Sequence, residues 1–252
     1  MKFLNCSAKW ILPLLFVFVI GCDKQQSELP HDFVFLTDID PTIIESTRYS
    51  TKNNFLGKQV PGYTSNRVIC TKVAAETLKR VNDDLKQAGY KLVVYDGYRP
   101  QRSVDEFMRW SKDEKDEIAK TYYYPTINKK DVFKLGYVSE KSSHSRGSTF
   151  DLTLIKSDKK LTPIVYSSHK LLSGETIPFL DDNTVDMGAS FDLFHEASHH
   201  DTSLVNDAST RMRNLLRNTM KKYGFKEYQE EWWHYTLANE PHPDTYFDFV
   251  AS

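Results

Sequence analysis

Apolar positions along the chain fall into two periods, and the switches between them mark its elements. Val73, Ala74, Leu78, Val81 and Leu85 recur at helical spacing behind Thr71, a helix-capping residue type, and Gly89 supplies the stop. Lys91-Leu92-Val93-Val94-Tyr95 reads as strand and Asp96-Gly97-Tyr98-Arg99-Pro100 as turn. Val104, Phe107 and Met108 open a second amphipathic helix from about Gln101, with the charged residues 112–120 as its solvated continuation. Residues 122–125 and 128–130 read as loop. From Ser148 the period becomes two. Thr149, Asp151 and Thr153 alternate with Phe150, Leu152 and Leu154, which predicts a half-buried strand carrying Asp151 on its polar face. Residues 156–186 are polar and irregular. Met212, Leu215, Leu216 and Met220 define a last helix over about 209–223, stopped by Gly224, and residues 225–237 read as aromatic-rich strand. Helices and strands interleave without a regular strand–helix repeat, so the expected fold is α+β and not a doubly wound sheet.

The first residues follow another pattern. Lys2 and Lys9 precede an almost wholly apolar run over 10–21, weakened by Pro13 and followed by Cys22. The run is too short to span a bilayer as a stable helix and reads as a secretory signal peptide. Val19-Ile20-Gly21-Cys22 is similar to a bacterial lipobox, in which the cysteine becomes the lipidated first residue of the mature protein; a plain secretory signal cut elsewhere is the other reading. The expected organisation is signal peptide 1–21, polar tether 22–31 and one domain over 32–252, exported and anchored on a bacterial membrane through Cys22. Of the three cysteines, Cys70 is then left without a partner, so no disulfide framework is expected and Cys70 reads as a small buried apolar residue. A chain of 252 residues can bury a full core without such staples. Its net charge of −1 and the lack of any long basic run give nucleic acid no surface.

Candidate chemistry gathers in two stretches, Ser142-Ser143-His144-Ser145-Arg146-Gly147 running on to Asp151, and Glu231-Trp232-Trp233-His234. His144, Asp151 and His234 are zinc-binding residue types, and two imidazoles with one carboxylate leave a tetrahedral position open for water, as a hydrolase needs. Gly147 permits a tight bend that would bring His144 back over the face of Asp151. The His–Asp pair by itself equally suits an inert surface loop. Glu231 and His234 lie three apart, which on a regular strand puts them on opposite faces unless the chain bulges; with Trp232 and Trp233 as core, His234 is equally an ordinary hydrogen-bonded residue. Arg99, on a turn after a strand, is placed either to stabilise an oxyanion, with Asp96 orienting it through a bidentate contact, or to brace the turn. His195-Glu196-Ala197-Ser198-His199 matches H-E-x-x-H, a zinc-helix pattern. That helix would be short and polar, Thr202 stands where the longer version needs glycine, and no glutamate follows soon enough to be a third ligand.

In their order along the chain, Asp96-Gly97-Tyr98-Arg99-Pro100, S-x-H-x6-D from Ser142 to Asp151, and Glu231-Trp232-Trp233-His234-Tyr235 resemble the D-alanyl-D-alanine dipeptidases. These are zinc peptidases of the vancomycin-resistance type, related to zinc D,D-carboxypeptidases and to the hedgehog signalling fold, and the likeness runs from about Asp32 to the C-terminus. It implies a single hedgehog-like domain, mainly antiparallel sheet with packed helices. It implies one zinc ion on His144, Asp151 and His234, Glu231 as catalytic base, and Arg99 as transition-state stabiliser. Tyr49, Asp96, Ser142 and Asp192 would line a closed pocket for a small substrate, D-Ala-D-Ala, with Asp192 at its ammonium. A peptidoglycan D,D- or L,D-carboxypeptidase is the nearest alternative, and a non-catalytic zinc-stabilised binding module is an alternative of another class. Two departures stand out: the segment between Asp151 and Met187 is longer than in compact members, and His195 creates the H-E-x-x-H look-alike.

Overall fold

The computed structural model describes Met1 and residues 29–252; the apolar run, the lipobox and Cys22 lie outside the described residues. In chain order the elements are β1 (Phe33–Phe35), α1 (Leu36–Ile39), β2 (Ile44–Glu45), β3 (Ile69–Thr71), α2 (Lys72–Gln87), β4 (Tyr90–Asp96), α3 (Gln101–Lys112), α4 (Lys120–Tyr123) and α5 (Lys129–Val132). Then follow β5 (Thr149–Lys156), β6 (Val165–Lys170), β7 (Thr176–Asp181), α6 (Asp207–Lys222), β8 (Phe225–Tyr228) and β9 (Glu231–Leu237). The main sheet has five strands in the order β2-β4-β5-β9-β8, parallel only at the β2–β4 edge, so the fold is α+β on a mostly antiparallel sheet. Among the described residues no helix is long and apolar enough to cross a membrane.

The two long helices form where the helical period is strongest. Both α2, with Leu78, Val81 and Leu85 buried, and α6, with Leu216 and Met220 buried, pack on the sheet, the first against β4 and the second against β8 and β9. Gly89 and Gly224 stop them with φ of +85° and +87°. Thr71 stands at the first N-cap, but its hydroxyl is spent on Ser148 Oγ at 2.6 Å and does not cap the helix. Asn206 caps α6 through Ser209 N–H.

Strand β5 is the centre of the sheet, and here the expected half-burial is wrong: Thr149, Asp151 and Thr153 are as buried as Phe150, Leu152 and Leu154. Tyr49, Phe55, Phe191 and Phe194 from loops and Phe107 from α3 pack ring against ring in the core, and the side of β5 expected to face solvent is closed to it. Residues 112–120 do not continue α3. They carry no apolar side chain every third or fourth position to bury, and the chain turns at Asp113. The freed carbonyls of Asp113 and Asp116 accept hydrogen bonds from Lys129 Nζ at 2.5 and 2.7 Å, and that ammonium lies over the Trp110 ring. The stretches expected as loop contain the single-turn helices α4 and α5, the polar segment 156–186 contains the hairpin β6–β7, and residues 225–237 form a hairpin of two strands. Cys70 is buried, as expected, and has no disulfide partner among the described residues.

Candidate metal centre

Strand register builds the site. Asp96 on β4, Asp151 on β5 and His234 on β9 are direct cross-strand partners, so three side chains from distant parts of the chain share one row on one face. His144 joins them from a 3-10 turn, Ser143–Arg146, that ends at Gly147 with φ of +84°, where a Cβ would run into the Phe33 ring. Glu231 reaches the same face because β9 bulges: Glu231 pairs with Tyr228 and Tyr235 with the next residue back, Glu227, so 232–234 are extra. The three-residue spacing that argues against convergence on a regular strand therefore permits it here. Glu231 Oε2 lies 3.5 Å from His234 Nδ1.

Three donor atoms meet at one point. His144 Nε2 is 3.3 Å from Asp151 Oδ1 and 3.3 Å from His234 Nδ1, and His234 Nδ1 is 3.1 Å from Asp151 Oδ1. Ligands about 2.0–2.1 Å from a tetrahedral zinc stand about 3.4 Å apart, so the triangle is one face of such a tetrahedron. The far side of each ring is engaged as metal-binding imidazoles require. His144 Nδ1–H donates to the Gly97 carbonyl at 2.8 Å, and His234 Nε2 lies 3.2 Å from Ser143 Oγ, a hydroxyl able to accept its proton. With His144 Nδ1 donating to Gly97, the Nε2 lone pair faces Asp151 Oδ1 and His234 Nδ1, a donor set that suits a cation. Burial penalises the Asp151 carboxylate, yet His144 and His234 hold its pKa well below the usual carboxylate range. Among the described residues this is the one group of histidine, cysteine and acidic side chains close enough to share an ion.

Around the triangle lies a cavity of about 350 Å³ lined by Tyr49, Arg99, Ser142, Asp192 and Glu231 among others. Arg99 Nε donates to Asp96 Oδ2 at 2.9 Å and Nη2 donates to Asp151 Oδ2 at 3.3 Å, so one contact, not a bidentate pair, joins Arg99 to Asp96. The Arg99 guanidinium also lies over the Tyr49 ring. Tyr49 O–H donates to Asp192 Oδ2 at 2.9 Å. Burial, then the nearby Asp151 charge, pushes the carboxyls of both Glu231 and Asp192 well above the ordinary range, as expected where three acids crowd one cavity.

A model of the peptidase M15 family, described as D-ala-D-ala dipeptidase, matches residues 30–168 and 161–252. The chain belongs to the peptidase M15 family. Among M15 relatives it is 39% identical to a D-alanyl-D-alanine dipeptidase of Enterococcus faecalis, over 89% of this chain and all of that protein. It is 41% identical to one from Streptomyces coelicolor, over 86% of this chain and 97% of the relative, and 29% identical to one from Escherichia coli, over 82% and 84%.

Not every residue expected at this M15 site lies on the cavity wall. Asp96 sits behind it, buried, accepting from Tyr63 O–H at 2.7 Å and lying 3.5 Å from His144 Nδ1, where it orients groups without facing the cavity. Ser142 lines the wall and its Oγ accepts the His144 N–H at 3.3 Å. The H-E-x-x-H stretch makes no metal site. His195 is extended, its Nδ1 accepts Ala197 N–H and its Nε2 is 3.2 Å from Glu175, so the two imidazoles do not share a helical face. Tyr63, Ser143 and Lys141 were missed. Tyr63 and Lys141 give no signal in composition or period, whereas Ser143 stands inside the motif and could have been singled out as the partner of a metal-binding imidazole.

Proposed function

We propose that the protein is a zinc-dependent dipeptidase that hydrolyses D-alanyl-D-alanine to D-alanine, with the organisation signal peptide 1–21, tether 22–31 and catalytic domain 32–252, exported and held on a bacterial membrane by lipid at Cys22. What carries the activity is the donor triangle of 3.1–3.3 Å sides with a half-buried carboxyl, Glu231, beside it and outside it. His144, Asp151 and His234 would hold the zinc, which when bound supplies Lewis acidity toward a water and the scissile carbonyl. Glu231 takes the proton of the attacking water and returns it to the leaving amine. Arg99, fixed by Asp96 and Asp151, turns its remaining N–H groups toward the oxyanion and needs no reorganisation to do so.

The Asp192 carboxyl, held by Tyr49, supports a dipeptide over a longer substrate. A free dipeptide brings its ammonium into the cavity, whereas a wall-peptide stem presents a neutral amide at that position and leaves a buried acid without its counter-charge. The deciding assay gives purified protein D-Ala-D-Ala and a pentapeptide stem, with chelator and with zinc restored. Cleavage of the dipeptide alone, lost on chelation and regained with zinc, is expected. Efficient trimming of the stem would give the carboxypeptidase instead, and zinc bound without turnover of either would give the binding module. For the anchor, Cys22→Ser should move exported protein from the membrane to the soluble fraction; a variant that stays on the membrane removes the lipid from the reading.

A further inference from the structure

We propose that Lys141, with the Ser142 hydroxyl beside it, takes the terminal carboxylate of the substrate and makes the site selective for a free C-terminus. This rests on the dipeptidase reading above, which supplies a group for the ammonium and none for the opposite charge. Three cations line the cavity: Arg99, Lys141 and Arg146. Arg99 is engaged by Asp96 and Asp151. Arg146 Nε donates to both carboxylate oxygens of Glu240 at 2.9 and 3.0 Å, and its Nη2 lies 2.8 Å from Oε1. Among the described residues Lys141 has no carboxylate within ion-pair distance. Its ammonium rests 5.2 Å above the Tyr246 ring, a contact that positions the charge and leaves its N–H donors for an anion. Ser142 Oγ takes the His144 N–H, and its own proton is donated to no described residue.

Position along the chain fits as well. The terminal carboxylate of a dipeptide lies one residue beyond the bond to be cut, about 4 Å along the chain. Lys141 and Ser142 lie three and two residues before His144, one of the three donors, with Ser142 as the N-cap of its turn and Lys141 exposed just ahead of it. With Asp192 at one terminus and Lys141 at the other, a zwitterionic dipeptide fits in one direction only, which puts its single peptide bond in register with Glu231.

The test compares zinc-loaded wild type, Lys141→Met and Lys141→Arg on D-Ala-D-Ala and on its C-terminal amide. Wild type should prefer the free acid. Lys141→Met should lower kcat/KM for the acid about tenfold, chiefly through KM, and shrink the preference over the amide by the same factor. Lys141→Arg should keep most of that preference. The acid-to-amide ratio is internal to each variant, so a general loss of folded protein does not imitate the effect. An unchanged ratio in Lys141→Met, or no preference in wild type, overturns the assignment while dipeptide cleavage still stands. Wild type that cuts neither substrate removes the dipeptidase reading itself, and this assignment with it.

Discussion

Glu231→Gln separates the metal from the proton. Three side chains form the donor triangle and Glu231 is not one of them; it comes only as near as 3.5 Å to His234 Nδ1. Glutamine keeps the volume and a hydrogen-bonding oxygen but cannot accept a proton from water. Loss of a positioned general base costs about 10²–10⁴-fold, which is about 3–5 kcal/mol on the barrier. The fall should appear in kcat with KM little changed, because the groups assigned to the substrate termini, Asp192 and Lys141, are untouched. Zinc should remain at one ion per chain after dialysis, measured by atomic absorption beside the release of D-alanine. The metal-free variant should melt no lower than wild type. Glu231 is half-buried beside like charges from Asp151 and Asp192, and neutralising it removes a desolvation cost. Zinc lost under dialysis that wild type survives would make Glu231 a ligand. A kcat within tenfold of wild type, with zinc retained, would leave the reaction without its base.

Arg99→Lys should lower kcat/KM by about 10²–10³-fold, since an ammonium cannot hold Asp96 and Asp151 and still present a fixed donor to the oxyanion; a change within threefold would take Arg99 out of the reaction. His195→Ala should leave zinc content and turnover unchanged and cost about 1 kcal/mol of stability in urea melts through the lost cap on Ala197 N–H, whereas loss of zinc would revive the H-E-x-x-H site. Burial, with Arg217 and Arg213 nearby, depresses the pKa of His200 to about 4 against Glu227 and Asp201, and among the described residues neither ring nitrogen has a hydrogen-bond partner. The unfolded chain then binds this proton below about pH 6.5 and the folded chain does not until about pH 4, so metal-free protein should lose up to about 3 kcal/mol across that window. His200→Phe should flatten that part of the urea-midpoint profile, and an unchanged slope would assign it to other groups.

What could be read from the sequence was what is local. The period that defines α2 and α6 lies within each helix, and the alternation that defines β5 lies within eight residues, so those elements could be drawn before any contact was known. The hairpin β6–β7 escaped because β6 is exposed on both faces and β7 fully buries Ile177 alone, so neither strand has reason to alternate. Burial of Thr149 and Thr153 escaped for the opposite reason: what closes that side of β5 comes from parts of the chain distant in sequence, which no local period announces. The site shows the same division. His144 and Asp151 are near neighbours in sequence and form a readable motif half, whereas Asp151 and His234 are 83 positions apart and meet only through β5–β9 register. On local rules Glu231 and His234 should have parted to opposite faces. A bulge between β8 and β9, invisible from β9 alone, puts them together. The ordered pair of motifs carried that non-local information where neither half did, because one holds two of the three donors and the other holds the third together with the bulge that brings Glu231 beside it. Lys141 belongs to neither motif half's chemistry. Its case rests on the charge balance of the assembled cavity, a quantity that exists only once the chain has folded.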